Sequence, residues 1–433
     1  MATLPPTAPD AGASRRLVPA GGDAGIAPGR WAALALIAAA QIGAMSTWFS
    51  AAAVGPALAR DWGLPAAQLA LLTVGVQVGF VAGALGLAVS GLSDVLPART
   101  VFAASAAGAA AANGLLPLAA GHLLPAVGLR IALGVLLAGV YPTGMKLMAG
   151  WFREGRGLAI GALVGALTLG SALPHLIAAQ AAGALPWQSV IAATSAGAVL
   201  SALIVAGFVR PGPFDAPAAA LDLRWAVRAL RDPALRLANF GYFGHMWELY
   251  AMWTWLPAFL VGSFQASGGL GDADAVSRAA GLAAFAVIGL GAGGCIAGGL
   301  VADRIGRTVT TAGAMALSAA CALAAGFLFG RAPAVVVAVS AAWGVTVIAD
   351  SAQFSAAISE LAEPRRVGSA LALQTSLGFL LTAVSIQLLP VAVRAGGWRL
   401  AFAVLSVGPA LGCVAMLRLR ARPEAARLAA GRR

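Results

Sequence analysis

The chain has 433 residues, 60% of them apolar and only 10% charged. Soluble proteins carry about 25% charged residues, so soluble, disordered and disulfide-built classes are excluded and a polytopic membrane protein is predicted. The net charge of +12 comes from 27 arginines and Lys146, scattered between apolar runs rather than clustered with aromatics, which argues against a nucleic-acid binder.

Residues 1–29 are rich in Ala, Gly and Pro and are expected to form a disordered cytoplasmic tail. A helix needs about 20 apolar residues to cross a bilayer. Twelve such runs follow, near 31–58, 68–91, 100–121, 123–149, 157–182, 189–209, 237–262, 279–301, 309–330, 333–360, 367–392 and 399–417. The first exceeds the apolar core of a cleavable signal peptide, about 7–15 residues, and is read as an uncleaved span. The predicted fold is therefore all-α, with twelve transmembrane helices in two six-helix bundles, 30–209 and 237–417. Between them lies a central linker, 210–236, and after them a cytoplasmic tail, 418–433. The linker carries Leu221, Trp225 and Leu230 among arginines. That pattern suits a short interfacial helix or a plain charged connection.

Arginines set the orientation. With both termini in the cytoplasm, inner segments hold 21 arginines and outer loops hold 5, leaving Arg130 inside a span. The positive-inside rule selects that topology, and the expected location is the cytoplasmic (inner) membrane. The halves also repeat: Asp94 and Asp303, Arg156 and Arg366, and Trp187 and Trp398 are separated by 209, 210 and 211 residues. Paired repeats with a site between them are an architecture of secondary transporters.

Cys295, Cys321 and Cys413 lie in apolar stretches without metal-like spacing and read as core residues. Gly289, Gly291 and Gly294 formally fit a dinucleotide fingerprint. They lie inside a span with no preceding strand, so close helix packing is the better reading. No metal pair, nucleophile elbow or phosphate-binding lysine motif occurs, and no cofactor or enzymatic activity is expected.

The run Gly299-Leu-Val-Ala-Asp303-Arg304-Ile-Gly306-Arg307 after span 8 resembles the loop signature of the major facilitator superfamily. Its counterpart after span 2 keeps Asp94 and Arg99 but lacks the central Arg and Gly. The resemblance implies a cytoplasmic charge latch of Asp94, Arg99, Asp303, Arg304 and Arg307. Simple positive-inside anchoring is the plainer alternative. In spans 4 and 5, Arg130…Gly134, Tyr141-Pro142 and Trp151-Phe152-Arg153-Glu154-Gly155-Arg156-Gly157 resemble facilitators that carry small anions, including nitrate/nitrite, cyanate, oxalate–formate and monocarboxylate branches. Spans 2 and 8 lack the arginines of the nitrate/nitrite branch. Pro174 follows Leu173 rather than Gly, so the drug–proton antiporter signature is absent.

In that fold, spans 1, 4, 7 and 10 line a central cavity. Besides Lys146 near an inner end, the charges well inside spans are Arg130, Glu248 and Asp350, all on those helices. Intramembrane charges are costly and mark functional sites. Arg130 is expected to attract an anionic group through its planar fork of donors. Glu248 and Asp350 are candidates for proton coupling. His245, one turn from Glu248, is either a proton relay or a satisfied core histidine. Gln41, Trp48, Tyr141, Trp247 and Gln353 complete the expected substrate site, while Trp253 and Trp255 read as belt residues near the outer interface. His175, after Pro174, is read as a packing residue at a kink. The expectation is a monomeric, alternating-access transporter of a small, anionic solute, coupled to protons. Export of an amphipathic compound, or uniport or exchange, is the alternative.

Overall fold

The computed structural model describes residues 29–90, 95–152, 156–214, 223–269 and 271–433. Its elements are helices, and they resolve into twelve spans. Span 1 is broken into Arg30–Met45, Ser50–Ala53 and Gly55–Trp62. Span 2 is Ala66–Ser90, and span 3 is Ala98–Gly114 followed by the 3-10 turn Leu116–Ala119. Span 4 divides into Leu123–Ala138 and Tyr141–Trp151. Spans 5 and 6 are Arg156–Ala181 and Gln188–Phe208. In the second half, span 7 is Pro233–Ser267, span 8 Ala273–Ile305 and span 9 Arg307–Phe327. Span 10 divides into Pro333–Ala349 and Ser351–Leu361. Spans 11 and 12 share the run Val367–Arg420, which is separated at Gly396 and Gly397, the latter at φ 66°. Inner and outer ends below follow the orientation set by the arginines.

Several boundaries follow from capping. Asp232 accepts from the backbone N–H groups of Ala234 and Leu235 at 2.8 and 2.9 Å, with Pro233 opening the helix. Such caps satisfy amides that a helix start leaves orphaned. Span 7 therefore starts four residues earlier than expected and is 35 residues long. This corrects the belt assignment: Trp253 is fully buried, and the Trp255 indole donates to the Ile386 carbonyl at 3.0 Å. Asp272 likewise caps span 8 through the Ala275 N–H. Between spans 8 and 9 the turn has a single residue, Gly306, at φ 97°. A side chain would be strained there.

Small residues set the helix spacing. Gly75, Gly79 and Gly83 form one face of span 2 against Val127, Ile131 and Val135 of span 4. Gly291, Gly294 and Gly298 of span 8 meet Gly344, Val345 and Ala349 of span 10 in the same way. Backbones approach closely enough that a Cβ would clash, as expected for packing in lipid. The two halves meet along span 5 against span 8, where Gly281 faces Ala179 and the His175 carbonyl. At the outer end of that seam Arg278 donates to the Ala182 carbonyl at 3.3 Å.

In the linker, Leu223–Ala229 is helical, and Arg366 lies 5.3 Å from the ring centre of Trp225. After span 12 the chain folds back as Pro423–Gly431. Ala425 and Leu428 are fully buried, and the Ala429 N–H donates to Glu360 Oε2 at 3.0 Å.

Candidate transport site

Arg130 does not face a path between the halves. Its guanidinium is fully buried inside the first half, where it donates to five acceptors. Nε reaches the Leu72 carbonyl at 3.2 Å, and Nη1 reaches the Thr47 carbonyl, Ser50 Oγ and Asn113 Oδ1 at 3.2, 3.2 and 3.0 Å. Nη2 donates to the Trp48 carbonyl. The physical reason lies in span 1. Its helix breaks at Ser46–Phe49 and releases the Thr47 and Trp48 carbonyls, which must find donors in a dry interior. The forked guanidinium supplies them. The expectation of an anion-receiving Arg130 is thus corrected to a node that joins spans 1, 2, 3 and 4.

Glu248 is also turned into its own half. Oε1 accepts from the Trp343 indole at 2.8 Å, and Oε2 accepts from Ser318 Oγ at 2.7 Å. The carboxyl joins span 7 to spans 9 and 10, away from the first half. Trp247 faces span 12, donating to the Val404 carbonyl at 3.1 Å and packing over Gly408. Gln41 is buried beside Gly144 and Phe102, also within the first half.

His245 and Asp350 come together where spans 7 and 10 meet. His245 Nδ1 lies 2.8 Å from Asp350 Oδ1, and both side chains are at most 2% exposed. The contact is not an aligned hydrogen bond: Asp350 Oδ1 has no hydrogen-bond donor among the described residues, and His245 Nε2 has no partner there either. Asp350 occupies the break in span 10 between Ala349 and Ser351. Tyr242 and Phe354 flank the imidazole, with ring centres 6.1 and 5.5 Å away. In the first half, half-buried Tyr141 opens the second part of span 4. The sequence spacing that grouped His245 with Glu248 pointed to a helix face, but the break in span 10 gives His245 another partner.

At the inner end of spans 8–10 the signature arginine finds a partner that the expected latch did not include. Arg307 forms a fork on Glu360, with Nε at 2.9 and 3.0 Å from the two carboxylate oxygens and Nη2 at 2.7 Å. Its Nη1 donates to Gln353 Oε1 at 2.7 Å, which ties Gln353 to the Arg307–Glu360 pair. Asp303 is 71% exposed and 3.8 Å from Arg307. Arg304 and Arg99 are exposed, and Asp94 lies outside the described residues, as do Arg153, Glu154 and Gly155. Glu360 was not anticipated. An acid at the inner end of span 10, facing the signature arginine, was its only sequence signal.

Sequence reading also missed an aromatic layer between the halves. Trp48 lies 5.0 Å from Phe80, 5.7 Å from Tyr250 and 5.7 Å from Phe379, ring centre to ring centre. Phe80 and Phe379 are 4.7 Å apart, and Phe49 lies 5.7 Å from Trp253. The break in span 1 that Arg130 stabilises is what presents Trp48 and Phe49 to spans 7 and 11. Such ring pairs add specific attraction beyond their buried area.

Residues 36–386 match the Major Facilitator Superfamily, and the chain belongs to that superfamily. It is a multi-pass membrane transporter and not an enzyme. No curated protein matches it in sequence. Among solved structures, a bacterial homolog of the human lysosomal transporter Spinster, inward-facing and unoccupied, is similar with TM-score 0.66 and 16% identity over 93% of this chain and 95% of that one. A mutant of the nucleoside transporter NupG gives TM-score 0.69 and 12% identity, covering 90% and 99%. The xylose transporter XylE from E. coli, partially occluded and inward open, gives 0.70 and 12%, covering 90% and 98%. Identities this low speak for the fold alone.

Proposed function

We propose that this facilitator is a proton-coupled secondary transporter of a small amphipathic organic solute, working by alternating access from a cytoplasmic membrane. The observation that carries this reading is the buried His245–Asp350 contact at 2.8 Å. A carboxyl and an imidazole in contact within a helix break can gain or lose one proton as the halves rock. Gain or loss of one proton changes the net charge of the pair by one, a change that is cheap only while the site is open to water on one side, so the proton enters and leaves with the rocking of the halves. Asp350, His245 and Tyr141 then serve substrate and proton together, and Glu248 keeps the second half rigid. The amphipathic solute follows from the aromatic rings of spans 1, 2, 7 and 11 and from the engagement of Arg130 elsewhere. The small-anion reading has one observation in its favour, the unpartnered Nε2 of His245, which would donate to an anion when protonated. In either case the working unit is the monomer. A thermal-shift screen of neutral, cationic and anionic solutes on the purified protein, followed by uptake into vesicles, tests the assignment. Stabilisation and uptake confined to hydrophilic anions would decide for the second reading.

A further inference from the structure

An apolar cleft of about 310 Å³ opens between the outer parts of spans 1, 2 and 7. Its walls carry Ala52 and Ala59 from span 1, Leu69 and Thr73 from span 2, and Ala258 and Trp255 from span 7. That volume is at the lower end of sites for small organic ligands. All three helices place it on the same side of the aromatic layer. In spans 1 and 7 the cleft residues follow Phe49 and Trp253 toward the outside, and in span 2, which runs inward, they precede Phe80. The layer therefore lies inward of the cleft, between it and His245 and Asp350, and its rings are not part of the cleft's walls.

That layer holds two unusual groups. The indole N–H donors of Trp48 and Trp253 are buried, at most 1% of either side chain being exposed, and have no acceptor among the described residues. Leaving a buried donor unmade is costly, and by contrast Trp247, Trp255 and Trp343 each have an acceptor. Within the layer one such indole comes from each half; the third among the described residues, Trp62, lies at the outer end of span 1.

We propose that the cleft is an outer binding site for the transported solute, and that the solute is an apolar body bearing a hydrogen-bond acceptor. The body fills the cleft between spans 1, 2 and 7. When the aromatic layer parts, the acceptor meets the Trp48 and Trp253 N–H groups and bridges the two halves. This inference rests on the transport reading and adds a site and a solute class to it.

The test is equilibrium binding to the purified full chain in detergent, followed by tryptophan quenching. The probes are 2-acetylnaphthalene and 2-ethylnaphthalene, neutral bodies of similar size of which only the ketone is an acceptor. The parent is expected to prefer the ketone about tenfold. Ala258→Trp and Ala59→Phe fill the cleft from opposite walls and each should weaken ketone binding about tenfold or more, in variants that elute as the parent does. Trp253→Phe keeps most of the ring and should reduce the preference about threefold, and Trp48→Phe combined with it should bring the preference to about unity. Equal binding of the two probes, unchanged binding in both filled variants, or displacement by decane as readily as by the ketone would overturn the proposal. The last result would make the cleft a lipid-chain crevice. Binding requires no turnover, so intact binding without vesicle uptake would count against the transport reading and leave this site standing.

Discussion

The carboxylate of Glu248 accepts a 2.8 Å hydrogen bond from the indole of Trp343, which draws the only acid of span 7 into the second half. With Ser318 on its other oxygen, the group has both its strong acceptor sites used inside one bundle. Arg130 does the same in the first half, so each bundle has a buried polar side chain that ties its own helices together. Two rigid bundles moving about a softer seam are what alternating access requires.

Glu248→Ala is expected to orphan the Trp343 N–H and the Ser318 hydroxyl. Each unmade buried bond costs about 1–3 kcal/mol, so a loss of at least about 2 kcal/mol is predicted in thermal or denaturant unfolding. Glu248→Gln retains a carbonyl for Trp343 and should lose less than half as much. It should also keep its response to a proton gradient, the reverse of what the sequence alone led us to expect.

Arg130→Lys should behave as a disruptive change despite the retained charge. An ammonium cannot reach five acceptors in the planes that the guanidinium spans. The Thr47 and Trp48 carbonyls would then be exposed to faster opening. Hydrogen exchange across residues 46–53 is predicted to accelerate about tenfold or more, while exchange in spans 9 and 10 stays at the parental rate. Uniform exchange across both halves would show that Arg130 does not hold the break.

At the inner surface, Glu360→Gln should slow transport about tenfold, because it breaks a forked and half-buried pair with Arg307. Asp303→Asn removes a long contact at an exposed acid, and exposed pairs contribute little. Transport within about threefold of the parent is predicted for it. A larger effect for Asp303→Asn than for Glu360→Gln would restore the sequence-derived latch.

Much of this molecule was legible in its sequence. Apolar run length gave the twelve spans, and the glycine spacing in span 8 correctly read as helix packing. What the sequence could not carry was side-chain direction at helix breaks. Periodicity places Arg130 and Glu248 on helices that border the path, but it presumes continuous helices. The break at Ser46–Phe49 rotates Trp48 outward and turns its carbonyl toward Arg130. The break at Asp350 likewise aims that carboxyl at His245 rather than along its own helix. The aromatic layer was invisible for another reason: Trp48, Phe80, Tyr250 and Phe379 come from four helices, and nothing local in sequence joins them.

The central claim is that the His245–Asp350 pair carries proton coupling. It is tested most directly by reading proton entry into vesicles holding a pH-sensitive dye, with membrane potential clamped and a solute from the thermal-shift screen added. Parent and Glu248→Gln protein are predicted to move protons with the solute. His245→Gln and Asp350→Asn, still folded and still binding the solute, should lose proton movement by about tenfold or more while retaining solute exchange. Solute-linked proton entry at the parental rate in both His245→Gln and Asp350→Asn would contradict the account.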